Sequence, residues 1–316
     1  MASYADVFKR KEMKYVLSAD QRILMEVGCR ANMEVDAFGC SRVTSLYYDT
    51  PQRLLIERSL DKPLYKEKLR VRWYGEINED GFPEPQTQVF VELKKKFKGI
   101  VYKRRLSCSF AAAQAFLGGE GYVSALNAYP LADVSAQEEA YAPRSLQIAS
   151  EIEAFMARFE GLQPSMLITC KRTALTPRLL AGEAHDMSVQ DDVRITFDED
   201  ILYRDIPGEM PLWQAITESS QAVMEIKVAG PYPRWLLDAV SNAEARPSSF
   251  SKYGQAYMSV QAQARAKMHA QDQVLCTRSA NQTVKHVHAS ESFSTPLHHV
   301  KIWIQAALGK KEKHYV

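Results

Sequence analysis

The chain has 316 residues, 46% hydrophobic and 25% charged, a composition that fits one large globular domain or two ordinary ones. Forty Lys and Arg against 38 Asp and Glu leave a net charge of +2, which excludes a uniformly basic nucleic-acid coat and an acidic disordered tail. No apolar run reaches the ~18 residues of a membrane span, and residues 1–15 lack the apolar core of a signal peptide. The five cysteines (Cys29, Cys40, Cys108, Cys170, Cys276) have no zinc-ligand spacing, so free thiols and a cytoplasmic location are expected.

In chain order, residues 9–16 read as a strand. Ser18 then opens a helix over 19–32, with Gln21 three residues on completing a capping box. Strands follow at 42–49 and 64–74, and a polar Gly/Pro segment at 75–86 turns the chain. Strands at 87–97 and 100–110 are joined by Lys98-Gly99 as a tight hairpin. A helix over 144–160 carries Leu146, Ala149, Ile152, Phe155, Met156 and Phe159 on one face. Strands at 165–173, 192–203 and 221–229 precede a helix at 232–243 with Trp235, Leu236 and Val240 apolar. A single domain is expected over 1–261. Beyond it the chain is rich in Gln, Ser and His, with six of the seven histidines, and these lack helical metal-ligand pairing. Residues 262–295 are expected to be largely disordered, with a short helix at about 296–308.

The balanced total hides a local excess: residues 62–105 hold twelve Lys or Arg against six acids. The strand rows show where that charge lies, because alternate residues of a strand face opposite sides. Lys66, Lys68, Arg70 and Arg72 share one face, with Leu69, Val71 and Trp73 opposite. Glu92, Lys94 and Lys96 oppose Val89, Val91 and Leu93. Arg10, Glu12 and Lys14 share a face, as do Arg194, Thr196 and Asp198, and Glu225 and Lys227. One such strand is an ordinary sheet with a wet side. Repeated over most strands, the pattern fits an α+β fold: a closed eight-stranded antiparallel tunnel, basic rows inward, helices packed outside. Crowded cations repel one another and lose hydration, so this lumen calls for a strongly anionic ligand such as a polyphosphate chain or a nucleoside triphosphate. The aromatics mostly take the opposite parity, which argues against nucleic-acid stacking. Tyr47, Tyr48 and Trp73 are read as packing groups, Lys95 as an outside residue and Lys68 as a rim residue. Asp198 is read as structural. Glu12 is left open between a salt-bridge partner of the lumen cations and a metal ligand, and Glu92 likewise.

RKEMKY (10–15), SLYYDT (45–50), KLRVRWYG (68–75), VELKKK (91–96), VYKRR (101–105), KRTAL (171–175), VRITFD (193–198), MEIKV (224–228) and FSKYGQAY (250–257) occur in this order. Together they resemble the VTC domain, the polyphosphate polymerase branch of the triphosphate tunnel enzymes, over about residues 8–257. The resemblance implies an eight-stranded tunnel, Mn²⁺ or Mg²⁺ held by one carboxylate, and ATP-driven polyphosphate synthesis with release of ADP. Carried over by position, it implies catalytic roles for Arg70, Arg72, Lys94 and Lys252. It implies phosphate binding by Lys14, Lys103, Arg172, Arg194, Lys227, Ser251 and Tyr253, and metal binding by Glu225. The partners implied are ATP and polyphosphate, with a membrane protein as a possible recipient of product and no membrane insertion by the chain itself.

The sequence departs from the family pattern at Cys170, where many members have Tyr, and at Ser249, where some have Lys. An acidic insertion (GEAHDMSVQDD) also separates Arg172 from Arg194. A triphosphatase using Glu12 or Glu92 as base, and a non-catalytic polyphosphate or inositol-phosphate sensor, are the alternatives. A P-loop kinase is excluded by the lack of GxxxxGK[ST].

Overall fold

The computed structural model describes residues 11–98, 100–178, 193–208 and 212–289, with side chains as far as 272. Residues 1–10, with the start of the strand expected at 9–16, the acidic insertion and the helix expected at 296–308 lie outside the described residues. The elements are β1 (Lys11–Leu17), α1 (Ala19–Cys29), β2 (Met33–Asp49), α2 (Leu54–Leu60), β3 (Tyr65–Tyr74), β4 (Gln88–Phe97) and β5 (Ile100–Ser109). Four helices follow: α3 (Phe110–Leu117), α4 (Tyr122–Ala128), α5 (Val134–Tyr141) and α6 (Pro143–Met156). The chain then forms β6 (Gln163–Pro177), β7 (Arg194–Asp205), β8 (Gln214–Ala215), β9 (Ala222–Val228), α7 (Arg234–Asn242) and α8 (Lys252–Ala289). Two units result, one ending at Gln261 and one beginning at Ala262.

The strands form one antiparallel sheet in the order β1-β9-β7-β6-β2-β3-β4-β5, with the short β8 on β7. The sheet is not closed: among the described residues no ladder joins β5 to β1. The reason lies on the free edge of β1. Ser248 N–H donates to Lys14 O at 2.7 Å, and Tyr15 bridges to Pro247. The segment leading into α8 thus takes the backbone groups that β5 would need, and it covers an edge that would otherwise be open to pairing. The closed tunnel expected above is replaced by an α+β fold with an open, curled sheet. Curling is evident at α8. Phe250 O accepts from Lys14 of β1, and the next residue, Ser251, accepts from Lys68 of β3.

The strand parity read from the sequence matches the packing. Leu69, Val71 and Trp73 of β3, Val89, Val91 and Leu93 of β4, and Leu106 and Cys108 of β5 are fully buried beneath α3–α6. Each such apolar side chain contributes about 1.5–3 kcal/mol by leaving water. Glu67 falls in this apolar row and is buried, and Arg158 satisfies it at 2.8 and 3.0 Å. A second outer cluster joins Leu17, Ile195, Phe197, Met224, Ile226 and Val228 to Met25 and Cys29 of α1 and Leu236 and Ala239 of α7. Gly28 is required where α1 and α7 meet, because a Cβ there would lie 2.6 Å from that of Ala239. The capping box forms as expected: Gln21 N–H donates to Ser18 Oγ at 3.3 Å, and Ser18 N–H donates to Gln21 Oε1 at 3.0 Å.

A third cluster sits on the charged side of the sheet. Val43 and Tyr47 of β2, Ile168 and Cys170 of β6, and Val223 of β9 pack against Ile56 of α2 and Tyr253, Ala256 and Tyr257 of α8. One part of the concave face is therefore an apolar seat for α8, and the cations occupy the rest. Residues 262–289 continue α8 as helix, where disorder was expected. Alanine, glutamine and lysine favour helix even without an apolar stripe, so the missing periodicity concealed the helix.

Candidate functional site

Three carboxylates organise the concave cations. Glu92 of β4 is 1% exposed and sits opposite Arg70 in the β3–β4 register and Arg105 in the β4–β5 register. It accepts from Arg70 Nη2 at 2.6 Å, Lys103 Nζ at 2.7 Å and Arg105 Nη2 at 2.5 Å. Burial alone would raise its carboxyl, but Arg70, Arg72 and Lys103 outweigh that and hold it far below the usual range. Asp198 of β7, equally buried, accepts from Arg172 at 2.6 and 2.7 Å and pairs with Lys252 of α8. Burial opposes its ionisation, while Lys252 and Arg172 enforce it. Glu225 of β9 lies 2.7 Å from Lys227 and 3.7 Å from Lys14, and Lys14 is also 3.5 Å from Glu12. Lys227 and Lys14 overcome the effect of burial and bring the Glu225 carboxyl to about 2.

Other cations have no carboxylate of their own. Among the described residues no ion pair forms at Lys68, Arg72 or Lys94. Arg72 Nε donates to Ser45 Oγ at 3.1 Å, and Lys68 Nζ donates to Ser251 Oγ at 3.1 Å. Burial, with Lys66, Lys94 and Lys14 nearby, brings the Lys68 ammonium down to about 8. Burial and Lys14 also lower Lys94, and burial and Arg70 lower Arg72. The Tyr47 hydroxyl accepts from Arg70 Nη1 at 3.1 Å. Burial raises that phenol, but Arg70, Arg72 and Lys68 together bring it down to about 7. These are the marks of a site with an excess of positive charge, ready for an anion with many oxygens.

Most of the residues singled out from the sequence come together here. Arg70, Arg72, Lys94, Lys103, Arg172, Lys252, Lys14, Lys227 and Glu225 share the concave face, with Ser251 at the start of α8. Two do not fit so simply. Tyr253 is buried and stacked on Tyr47 at 4.5 Å between ring centroids. Its hydroxyl is committed to Asp49 Oδ2 at 2.8 Å and lies 3.0 Å from Ser165 Oγ, so it seats α8 and does not join the cations. Arg194 is more than half exposed and paired with Asp36 at 3.1 Å, outside the crowded part of the face. Lys68 is not at a rim: it is part-buried between β3 and α8. Arg105 was missed as a site residue, although its alternation with Lys103 on β5 could have found it. Tyr47 is more than a packing group, through its bond to Arg70. Lys95 faces outward to Glu151 at 3.8 Å, as its parity required.

Four consecutive residues tie the site together. Phe250 O takes Lys14, Ser251 Oγ takes Lys68, Lys252 takes Asp198 and Tyr253 takes Asp49. Ser251 also accepts from Gly254 N–H at 3.2 Å and so helps to cap α8. Asp49 in turn accepts from Leu55 N–H at 2.9 Å and Ile56 N–H at 3.0 Å, which fixes α2.

A divalent ion would find hard oxygen donors in Glu225, with Glu12 on the adjacent strand. Among the described residues no cluster of three or more His, Cys, Asp or Glu side chains is present. One or two carboxylates suit Mg²⁺ or Mn²⁺ when phosphate oxygens and water complete the shell. The donor set therefore fits an ion that arrives with a phosphate ligand rather than one caged by protein.

The VTC domain family model matches residues 9–261. No curated protein matches the sequence. Among solved structures, a proposed adenylate cyclase from Vibrio parahaemolyticus is 11% identical, with a TM-score of 0.37, over 78% of this chain and 97% of that one. A proposed adenylyl cyclase from Hippeastrum, described as having a dominant triphosphatase activity, is 14% identical, with a TM-score of 0.37, over 77% and 92%. A protein from Bacillus halodurans, also a proposed adenylate cyclase, is 10% identical, with a TM-score of 0.35, over 77% and 95%.

Proposed function

The chain belongs to the VTC-domain family, and from that membership we propose that it is an ATP-dependent polyphosphate polymerase. It moves the ATP γ-phosphoryl group onto the end of a growing polyphosphate chain and releases ADP. The observation that carries this reading is the set of cations on the concave face without carboxylate partners: Lys68, Arg72 and Lys94. They lie beside Arg70, Lys103, Arg105, Arg172 and Lys252, which already hold carboxylates in place.

In phosphoryl transfer the protein mainly positions the reactants and neutralises the charge on the transferred group. Arg70 and Arg72 offer forked donors to phosphate oxygens, and Lys94 and Lys252 offer compact charges from opposite sides. The carboxylates Glu92 and Asp198 keep the guanidiniums of Arg70 and Arg172 in fixed orientation before an anion arrives. A divalent ion at Glu225, when bound, supplies further charge neutralisation at the phosphate oxygens. The attacking group is a terminal phosphate oxygen, so no side-chain nucleophile is needed.

A hydrolase would need a base for water. Glu92 is poorly suited, because its three cationic partners hold it ionised and occupy its oxygens. Glu12 is the remaining candidate. One assay separates the readings: incubate the protein with ATP and Mn²⁺, then measure ADP, free phosphate and acid-stable polymer. Polymer that matches the ADP released is the expected result. Free phosphate without polymer identifies a triphosphatase, and tight polyphosphate binding without turnover identifies a sensor.

A further inference from the structure

The β3–β4–β5 end of the sheet carries an exposed apolar tip beyond the crowded concave cations. Leu64, just before β3, is 72% exposed. Tyr65, Phe97, Val101 and Tyr102 are each close to half exposed. Through the strand register Tyr65, Phe97 and Tyr102 share the outer face of this end, since Tyr65 pairs with Phe97 and Lys95 with Tyr102, while Val101, opposite Lys96, lies on the other face. The patch is held rigid. Lys98 N–H donates to Leu64 O at 2.9 Å, which ties the entry of β3 to the β4–β5 turn, and the Tyr65 and Phe97 rings meet edge to face at 6.4 Å.

Lysines stand on both faces of this tip. Lys62 and Lys98 stand at the two turns, both with positive φ (53° and 45°), and Lys66 and Lys96, paired across β3 and β4, lie with Val101 on the face opposite Tyr65 and Phe97. Among the described residues none of these four lysines forms an ion pair. Lys66 Nζ reaches only a backbone oxygen, Ser59 O, at 3.3 Å, and Lys98 lies 5.4 Å from the Phe97 ring centroid. Two nearby carboxylates are taken, Glu67 by Arg158 and Tyr65, and Glu151 by Arg104 and Lys95, while Asp61 is exposed beside Lys62.

From this juxtaposition we propose that the Leu64–Phe97–Tyr102 tip, with Lys62 and Lys98 at its turns and Lys66 and Lys96 on its other face, is a docking surface for an anionic lipid bilayer that the tip enters end on. Exposed aliphatic and aromatic side chains enter the headgroup boundary, and the lysines meet anionic headgroups while their stems cover apolar surface. The charge complementarity selects an anionic partner. The apolar groups then choose the bilayer over a free phosphate polymer, which has nothing to offer Leu64 or Phe97. No described helix is long and apolar enough to cross a membrane. The surface stands on its own residues and does not depend on the catalytic reading.

The test is sedimentation of the full chain with vesicles of phosphatidylcholine containing phosphatidylserine, against vesicles of phosphatidylcholine alone. Two double variants are compared with wild type: Leu64→Ser with Phe97→Ser, and Lys62→Glu with Lys98→Glu. Both lysines are exposed at turns, so the second variant keeps its fold even if the first does not, and circular dichroism checks each. Wild type is expected to bind the anionic vesicles and not the neutral ones. The lysine variant should lose that binding about tenfold or more, raised salt should weaken it likewise, and soluble tripolyphosphate affinity should stay unchanged. No binding by wild type overturns the proposal, and so does unchanged vesicle binding by the lysine variant. Loss of tripolyphosphate affinity with vesicle binding intact also overturns it, and would instead make the lysines an extension of the phosphate site.

Discussion

Glu92 and Arg70 face each other across the β3–β4 register, with Arg70 Nη2 2.6 Å from Glu92 Oε2. The same carboxylate also holds Lys103 and Arg105, so one buried anion keeps three cations from facing one another. Glu92→Gln should therefore destabilise the ligand-free protein by about 3 kcal/mol, the lower end for a broken buried pair, since Lys103 and Arg105 keep some hydration. Tripolyphosphate should restore more stability to the variant than to wild type, because it supplies the missing charge. Denaturant titrations with and without tripolyphosphate measure both effects. The acid dependence follows the same group. The folded-state carboxyl is depressed, so its contribution is present above the ordinary value of 4.5 and is lost as pH falls below it. The variant should show a shallower loss of stability in that range.

Phosphate affinity should fall between neutral and alkaline pH. Lys68, lowered to about 8, loses its charge as pH rises, and Tyr47, lowered to about 7, gains a negative one. Both changes reduce attraction for an anion. A bound anion favours the protonated forms, so binding near pH 8 should take up protons. Calorimetry in buffers of different ionisation enthalpy reads that uptake directly. Tyr47→Phe should flatten the lower part of the profile, and Lys68→Met the upper part. An unchanged profile in both variants would remove these two residues from the account.

The candidate site could be read in outline because charge on a strand leaves a period-two signature. Arg70, Arg72, Glu92, Lys94 and Glu225 all fall on the parity that the sequence indicated. Three things were hidden. The third-cluster residues Val43, Ile168, Cys170 and Val223 share the charged parity, and only tertiary structure shows that α8 covers them. The helices α2 to α5 are each of eight residues or fewer, too short to show a helical period clearly. The open sheet depends on Ser248 binding Lys14 by backbone alone, for which no side-chain pattern exists.

Tyr253 supplies a direct check of the seating role. Its hydroxyl meets Asp49 and Ser165, not the cations. Tyr253→Phe should cost about 1 kcal/mol or more in stability, with a buried carboxylate left short of a donor. Its tripolyphosphate affinity should remain within about twofold of wild type. A loss of affinity at unchanged stability would restore the hydroxyl to the phosphate site.

Glu225 separates binding from turnover. Glu225→Gln keeps the side-chain volume but removes the charge that a divalent ion needs. Nucleotide binding should be spared while ADP release falls by about a hundredfold or more, as expected when a charge-neutralising element of phosphoryl transfer is lost. Turnover at the wild-type level would place the metal elsewhere.

Arg72 shows most directly whether the concave cations bind phosphate. Arg72 forms no ion pair among the described residues and donates to Ser45, and buried Glu92 keeps Arg70, Lys103 and Arg105 when Arg72 is removed. Calorimetric titration of wild type and Arg72→Ala with tripolyphosphate gives the answer. Wild type should bind tightly and the variant about tenfold or more weaker, the worth of a charge-assisted hydrogen bond, with the fold retained by circular dichroism. Equal affinity in the two proteins would contradict it.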